Sequence, residues 1–272
     1  MEDNKIWTLC VIMLAGVLLI WYVFKYVGNK KYRKGQSLDG SFIRTVLQQK
    51  VAFYRQLDLE EQEQFIERVA YFLGTTSISP EKGAQVTNDD RVLVAASATI
   101  PLFHFRHWSY ENLDEVLIYP GTFNEKYDID APDRLVLGMV GDGVMNRKMI
   151  LSLASLRAGF SAHPSAGNTA IHEFVHLIDK ADGDIDGVPN YLIPDELVRP
   201  WLQAMHKTME AIRKDRSDIR DYAATNEAEF LAVVSEYFFQ KPRQLEQDHP
   251  ELYELLNEIY TPSANKTPDA NN

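Results

Sequence analysis

The sequence predicts an α+β domain carried behind one N-terminal transmembrane helix, and three observations predict it. The stretch from Ile6 to Phe24 is apolar and uncharged. Beyond it, apolar runs at helical spacing are interrupted by short β-like runs, EVLIY at 115–119 and MNRKMILSL at 145–153. A His-Glu-x-x-His motif, His172-Glu173-Phe174-Val175-His176, lies inside an apolar run long enough to form a helix.

The 272 residues, 45% hydrophobic and 25% charged, have the composition of a globular chain. At about 1.5 Å of rise per residue, 6–24 is just long enough to cross a hydrocarbon core of roughly 30 Å. Trp7 stands at one end, with Trp21 and Tyr22 at the other, where aromatic rings suit the two interfaces. A cleaved signal peptide puts its positive charge before the apolar run. Here Glu2, Asp3 and Lys5 precede the run, whereas Lys25, Lys30, Lys31, Arg33 and Lys34 follow it. The order predicts an uncleaved single-pass anchor, with the body of the protein on the cytoplasmic side. The only cysteine, Cys10, falls within the span, which is compatible with a reducing compartment. Formal net charge is -11 overall and near -15 beyond the basic anchor, which excludes a general basic surface for nucleic acid.

In chain order, a transmembrane helix and basic linker (1–35) lead into one domain (36–262) and a disordered tail (263–272). The first helix of the domain is predicted over 42–55. Asp58 caps a second, in which Phe65, Ile66, Val69, Ala70, Phe72 and Leu73 recur at helical spacing. Thr87-x-x-Asp90 opens a third, from Arg91 to about Phe105. His104, His107, Trp108 and Tyr110 read as structural or surface residues. EVLIY and 135–140 read as strands, and Gly138, Gly141 and Gly143 as a turn, since no helix follows directly as a phosphate loop requires. Lys148–Leu153 reads either as an edge strand beside the site, able to pair with an extended peptide, or as an interior strand with no ligand contact. The loop Asp182-Gly-Asp-Ile-Asp-Gly187 lacks the Glu that closes a calcium loop and reads as a turn. Pro189, Pro194 and Pro200 keep the next stretch irregular until a helix from Trp201 to about Arg213.

On a helix capped by Asn168, His172 and His176 lie one turn apart on one face and can share a Zn²⁺, with Glu173 beside its open position. That is the core of a zinc peptidase. Catalytic zinc usually takes a third protein ligand. Glu227, Glu229 and Glu236, on the apolar helix that follows Asp221, all qualify, and periodicity does not choose among them. Glu227 and Glu229 also suit a helix N-terminus as dipole partners or part of a capping box. Asp179, one turn beyond His176, is either a support for a ligand histidine or a surface carboxylate.

HEFVHLID followed by YAATNEAEF and SEYFF, with VTNDDRVLVAA and VLIYPGTF upstream, resembles the Mlc titration factor A family of bacterial zinc peptidases, whose catalytic half is similar to that of anthrax lethal factor. The resemblance implies an α+β zincin-like fold and a gluzincin-like zinc metallopeptidase, aminopeptidases included, acting on a peptide or protein. It assigns the metal to His172, His176 and Glu229, the general base to Glu173, and assistance at the reacting carbonyl to Tyr222. Soluble members of that family lack an anchor, so the repressor Mlc is not carried over as a partner. The alternative to an enzyme is a membrane-tethered module that binds a regulatory protein, the zinc site being secondary, and an intact Glu173 argues for the enzyme.

Overall fold

A computed structural model describes residues 35–105, 109–124, 129, 136–140, 146–161 and 167–262. The predicted membrane span and tail, together with His107, Trp108, Gly141 and Gly143, lie outside them. Among the described residues no helix is long and apolar enough to cross a membrane.

The chain opens with α1 (Gly40–Lys50) and α2 (Ala52–Gln56). These replace the single predicted helix over 42–55, because Val51 between them is extended (φ -107°, ψ 103°). Asp58 caps α3 (Leu59–Thr75) in a complete capping box with Glu61. A short strand, β1 (Ser77–Pro80), precedes α4 (Asn88–Thr99). The predicted box of Thr87 and Asp90 is formed, but the helix stops well short of Phe105, where Pro101 has no N–H to continue the ladder.

Strands β2 (Glu115–Tyr119), β3 (Gly138–Val140) and β4 (Lys148–Ser152) complete a mixed sheet in the order β1-β2-β4-β3. β1, β2 and β4 are parallel, whereas β3 runs antiparallel to β4 with Gly138 opposite Leu151. Period-2 alternation gives the sheet two apolar faces. Val116, Ile118, Met149 and Leu151 join the main core, while Leu117, Tyr119 and Ile150 gather with Phe123 in a second cluster on the other side.

After α5 (Leu153–Gly159) comes α6 (Thr169–Asp179), which carries the His-Glu-x-x-His motif and ends in a 3₁₀ turn at Lys180–Asp182. Gly183 follows at φ 105°, a left-handed angle that favours glycine. The next helix, α7 (Asp195–Ile212), begins before the predicted Trp201 and holds Pro200 internally. Pro200 lies past the first turn and costs one bond of the ladder, a loss that burial of Trp201, Ala204, Met205, Met209 and Ile212 outweighs. Beyond a 3₁₀ turn at Asp221–Ala224, α8 (Glu227–Gln240), α9 (Pro242–Asp248) and α10 (Pro250–Tyr260) finish the domain.

Both α6 and α8 are buried over most of their circumference, as expected of helices apolar on nearly every side. They pack against each other, and α6 also contacts α4, α5, β3 and β4. The fold is thus mixed α and β, mostly helical, with the motif helix at its centre.

Candidate metal centre

Asn168 sets the start of α6: its side chain accepts the Ile171 N–H at 3.2 Å, and the residue is 1% exposed. One turn in, His172 and His176 bring their Nε2 atoms to 3.1 Å from each other. α8 supplies the opposing group. Asn226 caps that helix by accepting the Glu229 N–H at 2.9 Å, which leaves the Glu229 carboxylate free to reach across. Glu229 Oε2 stands 3.0 Å from His172 Nε2 and 3.5 Å from His176 Nε2.

These three atoms fit a metal ion. Tetrahedral ligands at about 2.0–2.1 Å from zinc stand about 3.3 Å from one another, close to the three separations here. Glu229 Oε2 is sealed from solvent and receives no well-directed hydrogen bond, a vacancy in its hydrogen bonding that a cation would satisfy. Among the described residues this is the one group of three or more His, Cys, Asp or Glu placed to hold a metal. The acidic loop 182–187 forms no such group. Glu227 turns away, with its Oε1 3.6 Å from His206 Nε2 at the surface.

The electrostatics are those of imidazoles held between carboxylates. Burial disfavours the charged form of His172, but Glu229 and Glu236 outweigh it and push the group up to about 10. Burial would raise Glu229, yet the two imidazoles hold its carboxyl far below the usual range. Glu173 is 6% exposed, and burial raises it despite the neighbouring histidines. The strand β3 lies directly on it: a Cβ on Gly138 would fall 2.6 Å from Glu173 Cγ and 2.7 Å from its Oε1. Tyr222, on the turn before α8, has its ring centroid 6.1 Å from that of His172. Burial and the negative charge of the nearby Glu229 push its hydroxyl up to about 12.

The described residues decide two readings that the sequence leaves open. Lys148–Leu153 is interior rather than an edge, because β4 is hydrogen-bonded between β2 and β3; among the described strands the outer one beside the site is β3. Asp179 is not a surface carboxylate, being 1% exposed. Its Oδ2 accepts the Gly187 N–H at 3.0 Å, Oδ1 is unpartnered, and burial pushes the group up to about 6. Gly187 in turn sits at φ 75° with its carbonyl accepting from Trp201 Nε1 at 2.7 Å. Asp179 therefore ties the end of α6 to the loop before α7.

The residue behind a histidine is Glu236, whose Oε1 is 2.9 Å from His172 Nδ1. Gly138, Gly167 and Arg220 also belong to the site and were not singled out for it in the sequence. Glycine inside a strand is a known mark of close backbone approach, which could have pointed to Gly138. Arg220 carries no local signal.

A helix bearing His-Glu-x-x-His, faced by a glutamate from a second helix, defines the metallopeptidase class. Comparison with known proteins places the chain within that class: the profile of the glucose-regulated metallo-peptidase M90 family matches residues 29–261, and the chain belongs to that family. It is 30% identical to Mlc titration factor A of Escherichia fergusonii over 75% of this chain and 80% of that one. Mlc titration factor A of Pectobacterium atrosepticum is 28% identical, over 74% and 79% of the two chains. An uncharacterized protein of Synechocystis, slr2042, is 25% identical over 92% of this chain and 94% of its own.

Proposed function

We propose that the protein is a membrane-anchored, zinc-dependent peptidase whose ligands are His172, His176 and Glu229. The observation that carries this reading is the convergence of two Nε2 atoms and the unpartnered Glu229 Oε2 within 3.0 to 3.5 Å of one another. When bound, zinc supplies Lewis acidity toward the scissile carbonyl and the attacking water. Glu173 takes the proton of that water and returns it to the leaving amine, a role favoured by burial that lifts its affinity for protons. Tyr222 donates its hydroxyl to the oxyanion, and its raised pKa keeps that proton in place at neutral pH. β3, the outer strand beside the site among the described strands and with one residue lying on Glu173, is where an extended peptide would pair.

The anchor reading rests on the charge order around 6–24. The alignment with the Synechocystis protein covers 92% of this chain, a share that residues 36–272 alone do not reach, so the N-terminal segment is partly shared with that relative. The domain is then 36–262, on the cytoplasmic side. A regulatory protein partner is a further part of the proposal, suggested by the name of the titration factors and left without an identity.

The test is metal analysis of the purified full chain, alongside turnover of a peptide library before and after chelation and zinc replacement. The reading expects about one zinc per chain and hydrolysis that is lost and regained with it. Stoichiometric zinc with no hydrolysis of any peptide would support the regulator-binding module instead.

A further inference from the structure

We propose that Glu236 and Arg220 are positioning residues that fix the His172 ring from behind and tie it to the turn carrying Tyr222; this rests on the reading of His172 as a metal ligand. Glu236 is 3% exposed and sits at the meeting point of three donors. Its Oε1 is 2.9 Å from His172 Nδ1 and 2.6 Å from Arg220 Nη2, and its Oε2 accepts the Asn168 N–H at 2.6 Å. A buried carboxylate is costly unless paired and fully hydrogen-bonded, and here both conditions are met.

The direction of the His172 bond matters to the metal. When Nδ1–H donates to Glu236, the tautomer with its lone pair on Nε2 is selected, and Nε2 is the atom that faces His176 and Glu229. Without that acceptor the ring can rotate or carry its proton on the wrong nitrogen.

The backbone is shaped to admit this carboxylate. Gly167 has φ 84°, and a Cβ there would fall 2.0 Å from Glu236 Oε2 and 3.3 Å from Arg220 Nη1. Only glycine satisfies both the left-handed angle and the approach. Arg220 also precedes the 3₁₀ turn at 221–224, where its carbonyl accepts the Ala223 N–H at 2.9 Å. The guanidinium that neutralises Glu236 thus anchors the segment bearing Tyr222, whose ring is tilted over His172. One ion pair holds a ligand and the oxyanion donor in register.

The experiment uses the full chain in detergent with Glu236→Gln, Glu236→Asp, Arg220→Met and Arg220→Lys. Its readouts are zinc affinity by chelator competition, the absorption spectrum of the cobalt-loaded protein, and the His172 Nδ1–H resonance of the zinc-loaded protein. Glu236→Gln should lower zinc affinity roughly 10 to 100-fold and shift the Nδ1–H resonance upfield. Glu236→Asp should fall between Gln and wild type. Arg220→Met should lower affinity about tenfold and reduce kcat more than it changes KM, and Arg220→Lys should recover most of the affinity. If Glu236→Gln does not fold, the half-exposed Arg220 still decides the matter, since wild-type affinity and spectrum in Arg220→Met overturn the proposal. So does a Glu236→Gln protein within about twofold of wild type with an unmoved resonance, when His172→Ala has lost the metal. A wild-type protein that binds no zinc, or a cobalt spectrum untouched by His172→Ala, overturns the ligand assignment beneath it.

Discussion

Glu227, Glu229 and Glu236 stand on one helix with one chemistry, and their surroundings separate them. Glu229 faces two imidazoles, Glu236 braces one of them from behind, and Glu227 faces solvent beside His206. Glu229→Ala is expected to bind little zinc at limiting metal, because it leaves two histidines as the only protein ligands. Glu227→Ala should keep its zinc and lose at most about 1 kcal/mol of helix-terminus stabilisation. Zinc content after dialysis, with circular dichroism to confirm folding, separates them; full zinc in Glu229→Ala contradicts the assignment. Gly138 makes a second prediction at this scale. The Cβ of Gly138→Ala would push against the Glu173 side chain, so it should cost about 1–3 kcal/mol in overpacking and, by displacing the base, on the order of 100-fold in kcat. Unchanged kcat in a folded Gly138→Ala protein would show that Glu173 tolerates the shift and that β3 does not position it.

At the scale of elements, Asn168 holds α6 where its histidines meet α8. At its N-terminus, the side chain of Asn168 caps the helix while its N–H reaches Glu236 on α8. Asn168→Ala should therefore cost about 1–2 kcal/mol in denaturant unfolding, the upper part of the range for a lost cap because the site is buried. The Asp90 carboxylate ties α4 to α5 through a two-point contact with Arg157, at 2.8 and 2.7 Å. Against burial, which would raise it, Arg157 and Thr87 hold Asp90 down at about 2, from 3.8 in the unfolded chain. Its contribution is fully present above pH about 4 and is lost as the pH falls through 2. With Arg157 half exposed, that contribution is discounted to about 1–2 kcal/mol. Acid unfolding of wild type and Asp90→Asn should converge near pH 2, and a constant difference between them across pH 2 to 7 would contradict the linkage.

Across the whole molecule, what was legible in the sequence follows from locality. Caps at Asp58, Thr87 and Asn168 act within three residues, and each forms as its pattern predicts. The one-turn spacing of His172 and His176 is likewise local, and the helix delivers it. What lay hidden is non-local. The order that puts β3 outermost among the described strands depends on β4 pairing with β2, and the partner of His172 Nδ1 is 64 positions away. Val51 breaks a run whose hydrophobic period is continuous, and Pro200 stands inside a helix because burial of its neighbours overrides local preference. For topology, a reporter fused after Asn272 is expected to be active only as a cytosolic fusion. Recovery of the fusion from the periplasm, or of mature protein lacking about the first 25 residues, would overturn the anchor.

The central claim is that Glu173 moves protons for a metal held by other side chains, and one substitution tests it most directly. Glu173→Gln keeps the shape of the side chain beneath Gly138 and removes the base without touching His172, His176 or Glu229. Zinc content and peptide turnover are measured on the same preparation. The account predicts wild-type zinc with hydrolysis lowered by at least about 100-fold. Full hydrolysis by Glu173→Gln, with zinc bound, would contradict it.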